Sequence, residues 1–441
     1  MLAIRLLLWV FMSALLIPIA FFALECVLAF FAGPPRRRFA SATRPRIAVL
    51  IPAHNEETGI QQTLASVITQ LAPGDRVLVI ADNCTDQTAD RARVAGAEVV
   101  ERFDPERRGK GYALDFGIKA LNSSASASTP GAARGERPFP GVVIFIDADC
   151  RVETGALDEL AGTAAESNRP VQAVYLMQKC VRSSPTDRLS AFAFCVKGWV
   201  RPLGLHRAGL PCLLVGTGMA LPWAVLREVS LFSGNIVEDL QLAIDLTLAG
   251  HPPILCPAAR VTSILPSQPS AAVAQRTRWE HGHLNAIVTQ FPRLLAKGLL
   301  GGNVSTLAVA LETSVPPMSF LVASWFILSL AMLGIAGWLH QFVPLFIVAA
   351  GWVLLAVGVL LAWVRFGRDL ISFSTMLSIP FYVLRKLSIY RGFFQKRETS
   401  WVRTPREGEL ASSTLPVCAT KVFEKLEFRS QESEIRNQNE F

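Results

Sequence analysis

The chain has 441 residues, of which 51% are hydrophobic and 18% charged, and its formal net charge is +8. This composition excludes an ordinary soluble protein, in which charged residues take a larger share. It also disfavours a nucleic-acid partner, because no basic stripe with interleaved aromatic residues appears. The eight cysteines include no C-x-x-C pair, which indicates a reducing compartment in which most of them are small core residues.

The N-terminal segment is an apolar run over residues 6–32, interrupted only by Glu25. A membrane span needs roughly 20 apolar residues, and this run exceeds that length. Pro34 and three arginines follow it in place of a small-residue cleavage site, which argues against a signal peptide. We therefore predict an uncleaved transmembrane anchor over residues 1–33.

The next region, residues 45–295, alternates short apolar segments with helical periodicity. The predicted strands are 47–51, 77–81, 97–101 and 142–146. The predicted helices lie over 60–71, from about Asp86 onward, and over 110–121. Continuous apolar strands that alternate with helices predict an α/β domain with a mostly parallel sheet covered on both faces.

Two segments depart from this pattern. Residues 122–140 are rich in Ser, Ala, Gly and Pro, which predicts a flexible insertion. Beyond the α/β domain we expect an interfacial or membrane helix at 296–316 and a transmembrane region at 317–392. The apolar runs of that region are 318–338, 342–364 and a weaker one at 369–390. Residues 393–441 form a polar, cytoplasmic tail in this prediction.

Basic residues flank the apolar segments: five arginines fall between positions 36 and 46, and five Lys or Arg residues between 385 and 397. Positive flanks remain on the cytoplasmic side of a membrane. The sequence therefore predicts a multi-pass protein of the inner (cell) membrane with a cytoplasmic α/β domain.

Polar residues follow three of the predicted strands. Pro52 and the polar residues Asn55 and Glu56 come after the first, Asp82 follows the second, and an Asp-Ala-Asp sequence follows the fourth. Ligands bind outside the carboxyl ends of the strands in such sheets, so we expect these tips to converge on one crevice.

Asp147 and Asp149 are the strongest candidates for a cation site. If the strand remains extended there, both carboxylates point to the same face. Oxygen ligands favour Mg²⁺ or Mn²⁺, which complete their coordination with water and substrate phosphates. The absence of G-x-G-x-x-G after the first strand disfavours a dinucleotide cofactor, and the absence of a P-loop excludes a P-loop ATPase. Cations such as Lys110 or Arg278 would then hold the phosphates.

Further along, Gly216–Gly218 permits close backbone approach to a ligand. Glu238 and Asp239 begin a predicted helix, where they are either favourable first-turn charges or include a general base at Asp239.

A second downstream cluster combines amide, guanidinium and indole groups. Helical spacing places Gln275, Arg278 and Trp279 on one face, and a membrane-surface helix is the alternative interpretation. His281 and His283 are two residues apart and do not share a helical face, which argues against a metal pair.

Together and in order, these motifs resemble the membrane-embedded branch of the family 2 inverting glycosyltransferases. That branch includes cellulose, chitin, hyaluronan and poly-N-acetylglucosamine synthases and ceramide glucosyltransferase. The resemblance covers about residues 46 to 295 and the flanking spans. It implies a Rossmann-like glycosyltransferase A-type fold, a UDP-sugar donor, a glycan or lipid-linked acceptor and a Mg²⁺ or Mn²⁺ cofactor.

The resemblance also implies a role for each motif. The nucleotide-contacting positions are Pro52, Asn55, Glu56, Asp82 and Lys110. The D-x-D carboxylates, which hold the diphosphate through the metal, are Asp147 and Asp149. The base that deprotonates the acceptor hydroxyl is Asp239. The Q-x-x-R-W positions, which line the acceptor channel and support the leaving group, are Gln275, Arg278 and Trp279.

The sequence departs from this family pattern at two motifs. Ala81-Asp82-Asn83-Cys84 replaces the usual D-D-G-S, and Val237 replaces the threonine of T-E-D. Exopolysaccharide or cell-surface polysaccharide synthesis is the leading expectation, with export subunits as partners. The alternatives are a non-processive lipid glycosyltransferase, a catalytically inactive scaffold of an export system and a small transporter.

Overall fold

The computed structural model describes residues 2–40, 42, 44–126, 140–178, 184–232, 234, 237–264, 269–339 and 343–395. Its first half contains, in chain order, α1 (Leu2–Phe30), β1 (Ile47–Ala53), α2 (Ile60–Ile68), β2 (Arg76–Asp82), α3 (Thr88–Val94), β3 (Glu98–Arg102), α4 (Lys110–Ser126), β4 (Val142–Phe145), β5 (Cys150–Val152), α5 (Ala156–Ser167) and β6 (Val171–Gln178).

The second half begins with α6 (Pro185–Cys195), a π-helical turn (Val196–Val200) and α7 (Arg201–Arg207), which are continuous. There follow β7 (Met219–Pro222), α8 (Trp223–Leu226), α9 (Glu238–Leu248), β8 (Ile254–Ile264), α10 (Pro269–Thr289), α11 (Phe291–Leu300), α12 (Val304–Ser314), α13 (Met318–Leu339), α14 (Val343–Ala362), a second π-helical turn (Trp363–Gly367), α15 (Phe373–Met376) and α16 (Ile379–Gln395).

The strands form one eight-stranded sheet in the order β3-β2-β1-β4-β7-β6-β8-β5. The β1–β2, β2–β3, β1–β4 and β6–β8 pairs are parallel, and the other three pairs are antiparallel. The mixed α/β fold with a mostly parallel sheet is therefore confirmed. The chain runs outward from β1 through β2 to β3 and then returns to β4 on the other side of β1. A crevice opens at such a switch point, outside the carboxyl ends of the strands.

The four strands predicted first are β1 to β4, within one or two residues of the expected bounds. Most side chains of β1, β2 and β4 are buried because helices cover the sheet, whereas the edge strand β3 is partly exposed. Helix α2 illustrates this packing. Its buried residues are Ile60, Thr63, Leu64 and Val67, which have the i, i+3, i+4, i+7 spacing of a single apolar face. Two apolar clusters lie on the two faces of the sheet, and a third connects α6 and α7 with α1, α13 and α14.

Two helical segments are long and apolar enough to cross a membrane: Met318–Ile335 and Leu345–Gly367. In α1 the apolar stretch is shorter, Leu15–Phe30. These segments give weak support to membrane association. The predicted run at 369–390 is not one helix, because it contains α15, a break and most of α16. The segment 296–316 holds the end of α11 and all of α12.

Some predicted segments lie outside the described residues. The predicted insertion at 122–140 begins inside α4, and residues 127–139 are not described. Of the predicted tail, 396–441 is outside the described part of the chain.

The basic flanks differ from the prediction in their surroundings. Arg44 is buried and pairs with Asp75 and Asp158 at 2.6 and 2.5 Å. Lys386 is also buried, in an ion pair with Glu280. These two residues are internal counter-ions, so their charges do not belong to a membrane-facing surface.

Candidate active site

The loop after β4 places the two aspartates, and it does so differently from the expectation of an extended strand. β4 ends at Phe145, and Asp147 to Cys150 form a turn closed by the Cys150 N–H, which donates to the Asp147 carbonyl at 3.1 Å. One ligand atom from each of Asp147, Asp149 and Cys150 lies within 4.8 Å of the others. The turn therefore brings the two carboxylates together, although the strand has already ended.

Each aspartate is positioned by a neighbouring element. The Thr217 hydroxyl accepts the Asp147 N–H at 3.0 Å, and Ser263 Oγ on β8 donates to Asp149 Oδ2 at 3.3 Å. Burial raises the pKa of the Cys150 thiol well above its ordinary value. Two carboxylates beside a protonated thiol fit a hard divalent cation, which prefers oxygen ligands.

Lys110, the first residue of α4, connects the two sides of the crevice. Its ammonium forms an ion pair with Asp147 and donates to the Gly216 carbonyl at 2.7 Å. Burial raises the pKa of Asp147, and Lys110 opposes that rise. The lysine predicted for the nucleotide thus lies beside the predicted metal carboxylate, where it can hold phosphate oxygens.

Gly216 separates Lys110 from the candidate base. It has a φ of +89°, which favours glycine. A Cβ at this position would lie 3.3 Å from Asp239 Oδ2 and 3.5 Å from Lys110 Nζ. Asp239 Oδ1 accepts the N–H of Leu240 at 2.8 Å, so its other oxygen faces Gly216. The structure therefore brings Asp239 close to the aspartate turn, as the sequence predicts.

Glu238 precedes the candidate base on α9. Burial, followed by the neighbouring Asp239 carboxylate, raises the pKa of Glu238 to about 7. Val237, at the threonine position of T-E-D, packs on α10: a Cβ on Gly282 would lie 2.4 Å from Val237 Cγ1. The start of α9 is thus fixed by close packing against α10.

Helix α10 carries the Q-x-x-R-W residues. Burial lowers the pKa of Arg278, while Glu238 and Asp147 oppose the shift, so Arg278 lies in the field of both carboxylates. Trp279 contacts Phe194 of α6 at 5.8 Å between ring centroids. Gln275 is half-buried on the same helix. His281 and His283 contact different carbonyls, those of Ile389 and Thr313, so they do not form a pair.

The remaining strand tips are occupied by local contacts. Asp82 pairs with Arg102 at 2.6 Å, and burial raises the pKa of Asp82 against that pairing. Asn55 Oδ1 accepts the Thr85 N–H at 2.7 Å, which ties the loop after β1 to the loop after β2. Pro52 is half-buried near the end of β1, and Glu56 is buried in the following loop, so both lie at the same edge of the sheet.

The sequence analysis did not identify the residues that support these groups. Gln172 on β6 accepts from Val215 and donates to the Thr217 carbonyl, at 2.9 and 2.8 Å. This buried amide fixes the Gly216–Gly218 backbone from behind. Gln172 lies in an apolar strand, 45 residues from Thr217. In the sequence, the only sign of its role is that a polar residue stands in this apolar segment.

Comparison with known proteins assigns the chain to a family. The family model described as glycosyltransferase like family 2 matches residues 45–282, more than half of the chain. The chain belongs to the glycosyltransferase like family 2. The chain is 26% identical over 289 residues to "Probable glycosyltransferase YdaM" of Bacillus subtilis (strain 168), a match that spans 60% of this chain and 62% of that protein.

Further similarities cover less of the chain or carry lower identity. The 4,4'-diaponeurosporenoate glycosyltransferase of Staphylococcus aureus (strain USA300) is 46% identical over 66 residues, 15% of this chain and 17% of that protein. Among solved structures, the mannosyltransferase PcManGT from Pyrobaculum calidifontis, in complex with GDP-Man and Mn²⁺, has a TM-score of 0.42 and 18% identity. That match covers 80% of this chain and 98% of PcManGT.

Proposed function

We propose that this glycosyltransferase moves a sugar from a UDP-sugar to a glycan or lipid-linked acceptor, with inversion, at the cytoplasmic side of the inner membrane. The observation that carries the proposal is the juxtaposition of the aspartate turn with Asp239 across Lys110 and Gly216. In this proposal the export of a cell-surface polysaccharide involves separate subunits.

The proposed step is a single displacement. Asp239 accepts the proton of the acceptor hydroxyl, whose oxygen forms a bond to the anomeric carbon of the donor. The bond from that carbon to the diphosphate oxygen breaks, and the nucleoside diphosphate leaves with the electron pair. Asp147 and Asp149 would hold a divalent cation, Mg²⁺ or Mn²⁺, which would supply positive charge to the diphosphate. Lys110 and Arg278 add charge on the same side.

The remaining residues would bind and orient the substrates. Pro52, Asn55, Glu56 and Asp82 border the nucleoside in this proposal. Gln275 and Trp279 lie on α10 beside Arg278 and would border the acceptor. One carboxylate base, without a carboxylate nucleophile in the proposed step, is consistent with inversion.

A non-processive lipid glycosyltransferase is the second candidate. It is favoured by the number of candidate spans, because the described residues hold two helices of spanning length and a shorter apolar stretch in α1. These spans are fewer than those of the large cellulose synthases, which disfavours a self-contained channel for a growing polymer. Separation of the labelled product decides between the candidates: a ladder indicates a polymer, and one organic-soluble species indicates a lipid product.

The test compares membranes that contain the wild type, Asp239→Asn or Asp245→Asn, each incubated with Mn²⁺ and radiolabelled UDP-glucose, UDP-N-acetylglucosamine, UDP-galactose or GDP-mannose. Asp245 lies on the same helix and accepts from Gln241, so its variant is a matched control. We expect Asp239→Asn to lose about 10²- to 10⁴-fold in transfer, the usual contribution of a general base. Asp245→Asn should retain activity.

Two results would count against the proposal. Transfer by Asp239→Asn at half the wild-type rate or more would remove the base from the mechanism. Full complementation by that variant in cells, together with no transfer by the wild-type protein, would favour the inactive scaffold.

A further inference from the structure

Helix α10 presents two faces to different parts of the molecule. The face that carries Gln275, Arg278 and Trp279 also includes Gly282, one turn beyond Arg278. A Cβ on Gly282 would lie 2.4 Å from Val237 Cγ1, the residue directly before α9. Trp279 packs against the apolar cluster on one face of the sheet. This side of α10, the crevice face, is therefore turned toward the candidate base and the sheet.

The outer face of α10 lies on the other side of the helix and contacts α16. Arg276, Glu280 and Leu284 recur on it with the i, i+4, i+8 spacing of one stripe. Glu280 forms an ion pair with Lys386 of α16, and both residues are buried. Leu284 belongs to a small apolar cluster that includes residues of α16. The outer face thus combines an ion pair with apolar packing on a single partner helix.

Further hydrogen bonds fix the same side of α10. Arg276 Nη1 donates to Ser190 Oγ of α6 at 2.8 Å. Ser190 Oγ and the Tyr382 hydroxyl of α16 share a hydrogen bond at 3.0 Å. His281 Nε2 donates to the Ile389 carbonyl of α16 at 2.8 Å. Polar contacts to α16, directly or through Ser190, therefore extend over more than one turn of α10.

Helix α16 is itself held against α13, one of the two helices of spanning length. Tyr390 of α16 and Phe320 of α13 contact each other edge to face, with 5.0 Å between ring centroids. Tyr390 and Phe393 also lie in the same apolar cluster as Leu284 of α10. Helix α16 therefore connects α13 with α10 and gives α10 a support outside the sheet.

The ion pair between Glu280 and Lys386 suits positioning better than stabilisation. Burial of two charges carries a desolvation cost that their attraction seldom exceeds, and the best-attested use of such groups is to fix how elements pack. Glu280 directly follows Arg278 and Trp279 in the chain. Because successive residues of an α-helix are about 100° apart around its axis, a constraint on Glu280 also sets the direction of those two side chains.

We propose that Lys386 is a positioning residue for glycosyl transfer: its ion pair with Glu280 sets the rotation of α10 and thereby holds Arg278 toward the diphosphate of the donor. This inference rests on the proposed function, in which Arg278 adds positive charge on the diphosphate side. Lys386 contacts neither substrate in this proposal. It acts through α10, from a helix 106 residues further along the chain.

The experiment measures nucleotide affinity, because a dissociation constant does not depend on the fraction of the protein that is folded. The full chain is purified in detergent with Mn²⁺ and titrated with the diphosphate and the monophosphate of the nucleoside whose sugar the wild type transfers, UDP and UMP for a UDP-sugar. The preference for the diphosphate over the monophosphate reports the contacts to the second phosphate. Thermal unfolding of each protein is measured alongside.

The substitutions separate positioning from stability. Lys386→Met removes the ion pair, Lys386→Arg keeps its charge, and Tyr382→Phe removes only the hydroxyl that contacts Ser190. Arg391→Met is the matched control, because Arg391 is exposed on the same helix. Arg278→Met, alone and combined with Lys386→Met, completes a double-mutant cycle, which detects whether the two residues act through one contact.

We expect Arg278→Met and Lys386→Met each to lower the affinity for the diphosphate about 10-fold or more, since each removes a charge-assisted contact. The affinity for the monophosphate should change little. The double variant should bind the diphosphate no more weakly than Arg278→Met does. Lys386→Arg should recover most of the loss, and Tyr382→Phe should cost about 2- to 3-fold. Arg391→Met should behave as the wild type.

An unchanged diphosphate preference in Lys386→Met, with a lower melting temperature, would show that the ion pair only stabilises the fold and would overturn the inference. Additive losses in the double variant would also overturn it, because Lys386 would then act independently of Arg278. If Lys386→Met does not fold, Tyr382→Phe decides, and a wild-type preference in that variant counts against the inference. All three results leave the proposed function standing.

Two other results reach further. Wild-type affinity of Arg278→Met for the diphosphate would overturn the inference by removing Arg278 from the diphosphate, while transfer by the wild type would still support the rest of the proposed function. A wild-type protein that binds neither nucleotide and transfers no sugar would contradict the proposed function itself, and the inference with it.

Discussion

Two regions of the molecule are held together by different kinds of ion pair. One region is the strand ends, at the loops that follow β1, β2 and β4. The other, called the helical side, consists of α1, α7, α10 and α16. At the strand ends, Asp82 pairs with Arg102 on the adjacent strand β3, 20 residues away. On the helical side, Glu25 pairs with Arg201, 176 residues away, and Glu280 with Lys386, 106 residues away. The first arrangement follows from strand order, whereas the second exists only after distant helices have packed.

This difference has a consequence for what each side can do. The strand ends are fixed by the hydrogen-bonded sheet, which would give a rigid base for the proposed donor and metal contacts. The helical side depends on buried ion pairs, in which the loss of one partner leaves an uncompensated charge. Substitutions in these buried ion pairs should therefore affect stability first, and those at the strand ends should affect catalysis first.

The largest expected effect tests the helical side. Arg201→Met should destabilise the protein by about 3–5 kcal/mol, since it leaves Glu25 buried without its partner. Lys119→Met, which breaks an exposed pair with Asp115, should cost under about 0.5 kcal/mol. Unfolding in detergent measures both. The double variant Glu25→Leu, Arg201→Met should recover much of the loss, and a double variant as unstable as Arg201→Met would refute this account.

The same contrast explains how much could be predicted from the sequence. Strands β1 to β4 and the residues at their ends follow from local apolar runs and from strand-end geometry. The turn that joins Asp147 to Asp149 was not predicted, because the length of the preceding strand depends on its pairing with β7. Arg44 and Lys386 were misinterpreted as membrane flanks, because basic residues near apolar segments look alike whether or not a distant carboxylate pairs with them.

The next effect tests the strand ends. Asp149→Asn should lower kcat/KM by about 100-fold, because a metal held at this turn, as proposed, would supply several kcal/mol of charge stabilisation. Stability should change little, since Asp149 is only partly buried. Excess Mn²⁺ should restore part of the activity. Glu153→Gln, four residues along the chain, is the control and should keep wild-type kinetics. Wild-type activity of Asp149→Asn at limiting Mn²⁺ would argue against a metal at this turn.

A smaller effect tests the close approach of Lys110 and Asp239 to Gly216. Gly216→Ala combines an unfavourable positive φ with a methyl group near Asp239 and Lys110. Gly250→Ala is a matched control, because its φ is +93° and nothing lies within 4 Å of the added Cβ. Both should lose about 1–2 kcal/mol of stability. Only Gly216→Ala should also lose about 10-fold or more in kcat/KM, and equal kinetics in the two variants would show that the close approach is unimportant.

The smallest effect concerns the pH dependence of Glu238, at the border of the two sides. Its pKa is raised from 4.5 to about 7, so the folded state binds a proton that the unfolded state releases between these values. Stability from this group is complete below about pH 4.5 and is lost as the pH rises through 7. Glu238→Gln should therefore lose less thermal stability than the wild type between pH 5 and 8. Glu106→Gln, at an exposed position, should follow the wild type. If the melting temperatures of all three proteins change with pH in the same way, Glu238 is solvated and its pKa is not raised by burial and Asp239.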